Sequence, residues 1–204
     1  MQDAAARSVQ EAIESRRSIR RFAPEPVRRE DLKEILRLTS LAPSAFNLQP
    51  WRFHVVEDAE TKQKLREAAF GQPQVTSAPV VIIVASDMED TLNHLEETQH
   101  PGMPPEQRQR IVCSVRETYG QMSVAERGQW ALTQTNIALG FLLLAAQGMG
   151  YATVPMLGFD PARVREILGL PEHVHFAAMV PMGRPAEEGY PHHRLRLEQI
   201  VKYH

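Results

Sequence analysis

The chain has 204 residues, with 23 Lys+Arg against 25 Asp+Glu and a formal net charge of -2. That is enough chain for one domain with a substantial core, and the balanced charge gives no general attraction to nucleic acid or to a membrane surface. Cys113 is the single cysteine, so no disulfide can close within the chain, as suits a reducing cytoplasm.

The opening stretch MQDAAARSVQEAIESRR carries charges where a signal peptide needs an apolar run, which argues against export. Val9, Ala12 and Ile13 fall at helical spacing and predict a first amphipathic helix over residues 4–16. The following RSIRRFAPEPV runs extended, because Pro24 and Pro26 forbid a helix there. A second helix spans 29–42, with Leu32, Ile35, Leu36 and Leu41 on one side and Pro43 at its end. WRFHVVE, 51–57, alternates and predicts a strand. Asp58 caps a helix over 59–70. VVIIVAS, 80–86, is an unbroken β-branched run and predicts a central strand buried on both sides.

Residues 87–128 are the most polar stretch and contain HPGMPPE. They read as a helical excursion or lid within a single domain spanning 1–204, with one helix over 104–119. A long helix follows over 124–147. No charge occurs from Ile137 to Phe159, but Gly140, Gly148, Gly150, Pro155 and Gly158 interrupt the run. A fully buried helix, a turn and a short strand fit this better than a membrane span. A helix over 161–169 and a strand over 175–183 come next. The tail 190–204 has no packing partner within its own length. A few strands sandwiched by helices make the fold class α+β.

Several chemistries drop out. There is no phosphate-binding G-x-x-x-x-G-K-[ST] and no G-x-G-x-x-G after a strand; the GMG at Gly148–Gly150 follows a helix and stops it. His173 and His175 would share a strand face, and His192 and His193 are adjacent, but neither pair has a third ligand, so no metal is expected. Glu11, Glu14, Glu25, Glu30 and Asp31 flank the arginines of SRRSIRRF, and aromatics are scarce, which argues against nucleic acid. No side chain stands out as a catalytic acid or base.

Four separated pieces remain. RRSIRRF offers guanidinium groups and a hydroxyl suited to a phosphate, and in extended chain Arg16, Ser18 and Arg20 point one way while Arg17 and Arg21 point the other. Arg21 reads as part of a solvated face. LAPSAFNLQPWRF places Ser44, Asn47 and Gln49 in a loop stiffened by Pro43 and Pro50, where they can bond a polar heterocycle edge. FGQPQV adds the amides of Gln72 and Gln74. TVPMLGFDP puts Gly158 where a backbone N–H can approach a flat ligand. An anion joined to a polar-edged aromatic plate describes flavin mononucleotide (FMN).

The pattern RRSIRRF…APSAFNLQPWRF…GQPQV…VPMLGFDP…HHRL resembles the FMN-dependent nitroreductase family, from about residue 8 to 198 with 87–128 the loosest part. The resemblance implies a three-layer sandwich with a central mixed or antiparallel sheet flanked by helices. It implies a homodimer with FMN at the interface and a C-terminal tail exchanged across it. It also implies that Arg16, Ser18 and Arg194 hold the phosphate, with Arg17 in the same motif, and that Arg20 lies at the N1/O2 edge. Pro43, Ser44, Ala45 and Asn47 would come from the partner chain; Gln74, and less directly Gln72, would meet the ring edge. Pro155, Met156, Leu157 and Gly158 would line one ring face and offer a backbone N–H to N5.

The activity implied is electron transfer from NAD(P)H through flavin N5 to a small-molecule acceptor, a nitroaromatic or quinone, by a ping-pong route in the cytoplasm, with no nucleic acid or membrane partner. The same scaffold elsewhere serves reductive dehalogenation, flavin fragmentation or non-catalytic FMN sensing. Two positions depart from the family pattern. Gln74 stands where some relatives carry lysine, and Leu157 where glutamate is common, so a weakened nicotinamide contact is expected.

Overall fold

The computed structural model describes residues 7–204. Strand β2 (Val80–Ser86) lies at the centre of a four-stranded sheet. It pairs antiparallel with β1 (Trp51–Val56) on one side and β4 (His175–Gly183) on the other, and β3 (Ala152–Thr153) pairs antiparallel with the far edge of β4. The order is β1-β2-β4-β3. A parallel contact occurs as an isolated bridge between Ser18 and Thr153.

The alternation within β2 explains the three layers. Val81, Ile83 and Ala85 face one side, where α3 (Ala59–Ala68), α4 (Gln74–Ser77) and α8 (Pro161–Leu168) bring Leu65, Val75 and Val164. Val80, Ile82 and Val84 face the other, where α2 (Arg29–Ser40) and α7 (Val124–Gly148) bring Ile35, Leu142 and Ala146. Strand side chains alternate faces, so a run apolar at every position needs cover on both. Such runs are usual in parallel sheets; here helices on both sides create the same demand in an antiparallel one. Each fully buried Val or Ile contributes about 1.5–3 kcal/mol.

Helix α1 (Val9–Ser15) starts at a capping box in which Ser8 and Glu11 bond each other's backbone N–H. Residues 4–6 of the expected first helix lie outside the described residues. Helix α2 ends at Ser40 rather than Ala42, because the Leu41 and Ala42 N–H groups turn back in tight three-residue steps to the Leu38 and Thr39 carbonyls. The 87–128 stretch contains α5 (Met88–Asn93), a 3-10 turn (Leu95–Thr98) and α6 (Pro105–Gly120). Met88, Leu95, Val112, Val115 and Tyr119 form a separate small core that closes on Leu48 and Ala131.

Two expectations need correction. Helix α7 is not buried all round: Ile137 and Phe141 remain 40% and 41% exposed. The sheet and the α1–α2 layer cover only part of its circumference, leaving an apolar stripe uncovered in the single chain. His173 does not share a strand face with His175; it sits in the turn before β4, its Nε2 3.1 Å from Asp87 Oδ1. The His175 ring lies against Gly128, where an ideal Cβ would come within 2.4 Å of it. Among the described residues no group of three or more His, Cys, Asp or Glu is arranged to hold a metal, and no helix is long and apolar enough to cross a membrane. The tail ends in α9 (Leu197–Ile200), whose Leu197 and Ile200 are exposed together with Leu195 and Tyr203.

Candidate functional site

The arginine segment is fixed by its apolar residues. Ile19 and Phe22 are buried, and they set which of their neighbours face outward. On one side the Ile19 N–H donates to the Thr153 carbonyl at 3.2 Å. On the other, Ala23 N–H bonds Arg184 O and Ala186 N–H bonds Arg21 O, both at 2.9 Å. Arg17 turns back on the end of α1, its Nη1 donating to the Glu14 and Arg16 carbonyls at 2.7 and 3.0 Å. It therefore caps a helix end rather than facing the way of Arg16.

Arg16 is the singular residue. It is half-buried, and its Nη1 is buried with no hydrogen-bond partner. Burial, and then the positive charges of Arg194 and Arg17, push its pKa below the ordinary guanidinium value. His192 reaches back over the segment, Nε2 donating to the Arg16 carbonyl at 2.6 Å. This brings the tail, and Arg194 with it, onto the first motif within one chain. A buried guanidinium nitrogen without an acceptor is costly. Two arginines facing each other without an acid repel. An anion cures both defects.

Beside this lies a cavity of about 650 Å³ lined by Ser18, Arg20, Arg21, Gln72, Pro73, Gln74, Glu187, Gly189 and Tyr190. Arg21 thus borders the cavity, although its side chain is 82% exposed. The two amides form a chain: Gln74 Nε2 donates to Gln72 Oε1 at 2.9 Å, and Gln72 Nε2 donates to the Gly158 carbonyl at 2.8 Å. Gln74 Nε2 also lies 3.5 Å from the Met156 sulfur. Met156 is held by paired backbone bonds to Met179, and just beyond it Leu157 and Gly158 emerge exposed. Among the described residues neither the Leu157 nor the Gly158 backbone N–H donates a hydrogen bond. Pro155, Met156, Leu157 and Gly158 therefore form one end of the constellation, with two backbone donors free.

The remaining residues stand apart. Pro43, Ser44, Ala45 and Asn47 leave α2 in a loop in which Phe46, Asn47 and Gln49 have φ of 52°, 57° and 48°. Left-handed backbone is unusual for non-glycine residues, and three so close together mark stored strain. Side chains hold it: Gln134 accepts the Ala45 N–H at 2.9 Å, Ser44 Oγ accepts the Gln49 N–H at 3.0 Å, and Asn47 Nδ2 donates to the Thr98 carbonyl at 2.6 Å. Among the described residues no hydrogen bond joins this loop to the arginine set.

The sequence reading missed Glu187, Gly189 and Gln134, and it weighed His192 only as a metal ligand and as part of the HHRL pattern. Gly189 had a signal of sorts: its φ is 72°, and an ideal Cβ there would lie 2.9 Å from Ile19 Cδ1. The others act through partners far away in sequence.

A model of the nitroreductase family matches residues 13–184. The chain is 52% identical over 186 residues to a protein of Thermus thermophilus named NADH dehydrogenase, covering 91% of each. It is 32% identical over 201 residues to the Bacillus subtilis protein named NAD(P)H nitroreductase YdgI, covering 95% of this chain and 96% of the relative. A solved structure from Exiguobacterium sibiricum, described as a nitroreductase in complex with FMN, superposes with a TM-score of 0.91 at 29% identity over all of both chains.

Proposed function

The chain belongs to the nitroreductase family, and from that premise we propose that it is an FMN-dependent NAD(P)H oxidoreductase acting on nitroaromatic or quinone acceptors. The observation that carries the reading is Arg16 Nη1, buried and unpartnered with Arg194 beside it. That pair asks for a phosphate, and the adjoining 650 Å³ cavity with its amide wall suits an isoalloxazine. The relatives' names fit: one carries FMN in its description and two carry NADH or NAD(P)H.

In this reading Arg16, Ser18 and Arg194 hold the phosphate, and Arg20 faces the N1/O2 edge. Gln72 and Gln74 meet the ring edge, and the free N–H groups of Leu157 and Gly158 meet N5. When bound, FMN supplies the relay of electrons from nicotinamide to acceptor, in the alternating order of a ping-pong scheme. The protein's own work is orientation and charge.

The site is completed by a second copy of the chain, which contributes Pro43, Ser44, Ala45 and Asn47. The uncovered stripe of α7 at Ile137 and Phe141 and the exposed Leu195, Leu197, Ile200 and Tyr203 of the tail are surfaces such a dimer buries.

Purified protein is therefore expected to be yellow, to release FMN rather than FAD on denaturation, and to oxidise NADH or NADPH when a quinone is added. Colourless protein that also fails to take up added FMN would refute the assignment.

A further inference from the structure

Among the residues lining the cavity, Glu187 is the acidic one in a wall that carries Arg20 and Arg21. Both of its oxygens address the arginine segment. Oε1 accepts the Arg20 backbone N–H at 2.7 Å, and Oε2 lies 4.0 Å from Arg21 Nε. The first contact is short and charge-assisted. The second joins a side chain that is 82% exposed and so adds little by itself.

Two backbone bonds lie beside it: Ala23 N–H bonds Arg184 O, and Arg21 O accepts from Ala186 N–H. In a regular antiparallel ladder the groups turned to that partner belong to alternate residues, here Arg21 and Ala23, and the Arg20 N–H would face away from it. Here a side-chain carboxylate takes the Arg20 N–H. With Ile19 fastened to Thr153 on the opposite side, the segment is gripped from both edges at the residue whose guanidinium borders the cavity. That guanidinium is in no ion pair among the described residues; its Nη1 lies 3.5 Å from the Ser18 carbonyl. Glu187 therefore grips the backbone of Arg20 and leaves the head available to a ligand.

We infer that Glu187 is a positioning residue with an electrostatic consequence: it aims Arg20 at the flavin and, as an acid in the same cavity, limits how far the arginines favour the reduced, anionic ring. The inference rests on the FMN reading above. A cavity with arginines alone would hold reduced flavin more tightly and leave it a poorer reductant. The carboxylate returns some of that reducing power while fixing the geometry.

Glu187→Gln separates the two effects, because its amide oxygen still accepts the Arg20 N–H but carries no charge. In the full-length holoprotein, affinity for oxidised FMN should stay within about twofold. Affinity for reduced FMN should rise about tenfold, read as a midpoint potential about 30 mV more positive for a two-electron couple. Glu187→Ala also removes the grip, so oxidised FMN should bind about tenfold more weakly. Potentials are measured by equilibration with a reference dye, and affinities by titrating apoprotein with FMN. An unchanged midpoint in Glu187→Gln overturns the inference alone, as does equal weakening of FMN binding by both variants with no shift in potential. Wild-type protein that binds no FMN overturns the flavin reading and this inference with it.

Discussion

The segments Arg16–Arg21 and Pro43–Gln49 both leave the end of a helix and both run irregularly, yet they are held in opposite ways. The first is extended, anchored by buried Ile19 and Phe22, and hydrogen-bonded on each edge by backbone partners. Its defect is electrostatic: Arg16 has a buried guanidinium nitrogen without an acceptor and other arginines beside it. The second contains three left-handed non-glycine residues and is held by the side chains of Ser44, Asn47 and Gln134. Its defect is conformational, of order 1–2 kcal/mol per residue, and Phe46 is half exposed at its tip. A segment that needs an anion can be satisfied by a small ligand. A strained loop with an exposed aromatic is satisfied by being covered. The contrast is what a site divided between two copies of one chain would produce.

The largest expected effect comes from removing residues 190–204. This deletes Arg194 and His192, which reach the first segment in the same chain, and the exposed apolar residues Leu195, Leu197 and Ile200. FMN retention and dimer content should fall together, with flavin affinity down more than about a hundredfold. Sedimentation and the visible spectrum of the same sample report both. A truncated monomer that keeps its flavin would mean that neither Arg194 nor a second chain is needed to hold it.

Arg16→Ala comes next. Losing one charge-assisted contact to phosphate is worth about 2–3 kcal/mol, or roughly a hundredfold in FMN affinity, with little change in midpoint potential. Pairing it with an Asn47→Ala chain sharpens the test. If each site takes Arg16 from one chain and Asn47 from the other, random exchange gives mixed dimers with one intact site, about a quarter of all sites. Failure of two weak-binding variants to complement would place both residues in a single-chain site.

The first segment was legible in the sequence and the second only in part, for a physical reason. Charge clustering in SRRSIRRF is a local property, and so is the two-faced apolar run of β2. Both survive reduction to a string. The left-handed turns at Phe46, Asn47 and Gln49 depend on contacts with Gln134 and Thr98, which lie far along the chain. Glu187 is 167 residues from the N–H it accepts. The reading of α7 as wholly buried failed for a related reason. Apolar composition reports that a face seeks cover, not whether its own chain supplies it. The same holds for Asp31, buried at the start of α2 and bonded by the Tyr151 hydroxyl and by Arg28. In sequence it looked like one more surface acid.

Arg20→Ala probes the charge of the first segment without disturbing the second. Its guanidinium borders the cavity, and its backbone N–H remains to bond Glu187 after the substitution. A cation at the N1/O2 edge stabilises the anion formed on reduction, so its loss should lower the ratio of reduced to oxidised affinity about tenfold, which is about 30 mV more negative in midpoint. Arg16→Ala is the control: it should move affinity and leave potential nearly fixed. Equal effects of the two substitutions on both quantities would mean that the segment acts as one diffuse positive patch.

The smallest effect is expected at Leu157, where neither segment is involved. The residue is 73% exposed. It borders a second cavity of about 340 Å³ shared with Leu132, Phe159, Arg165, His175 and Phe176. Its backbone N–H is one of the free donors, so FMN binding should not depend on the side chain. What leucine cannot do is hydrogen-bond a carboxamide. If a carboxylate here helps seat the nicotinamide, Leu157→Glu should speed flavin reduction by NADH or NADPH about fivefold, the equivalent of one hydrogen bond of about 1 kcal/mol. The acceptor half-reaction with a small quinone should change less. Arg165 limits the gain, since a guanidinium on the same cavity can draw the new carboxylate away from the donor. Rapid-mixing measurements of each half-reaction separate these outcomes. The 52% identical relative is named for NADH, which supplies the rival expectation. If wild-type reduction by NADH is already fast and tight and Leu157→Glu leaves it unchanged, the donor is seated without this side chain.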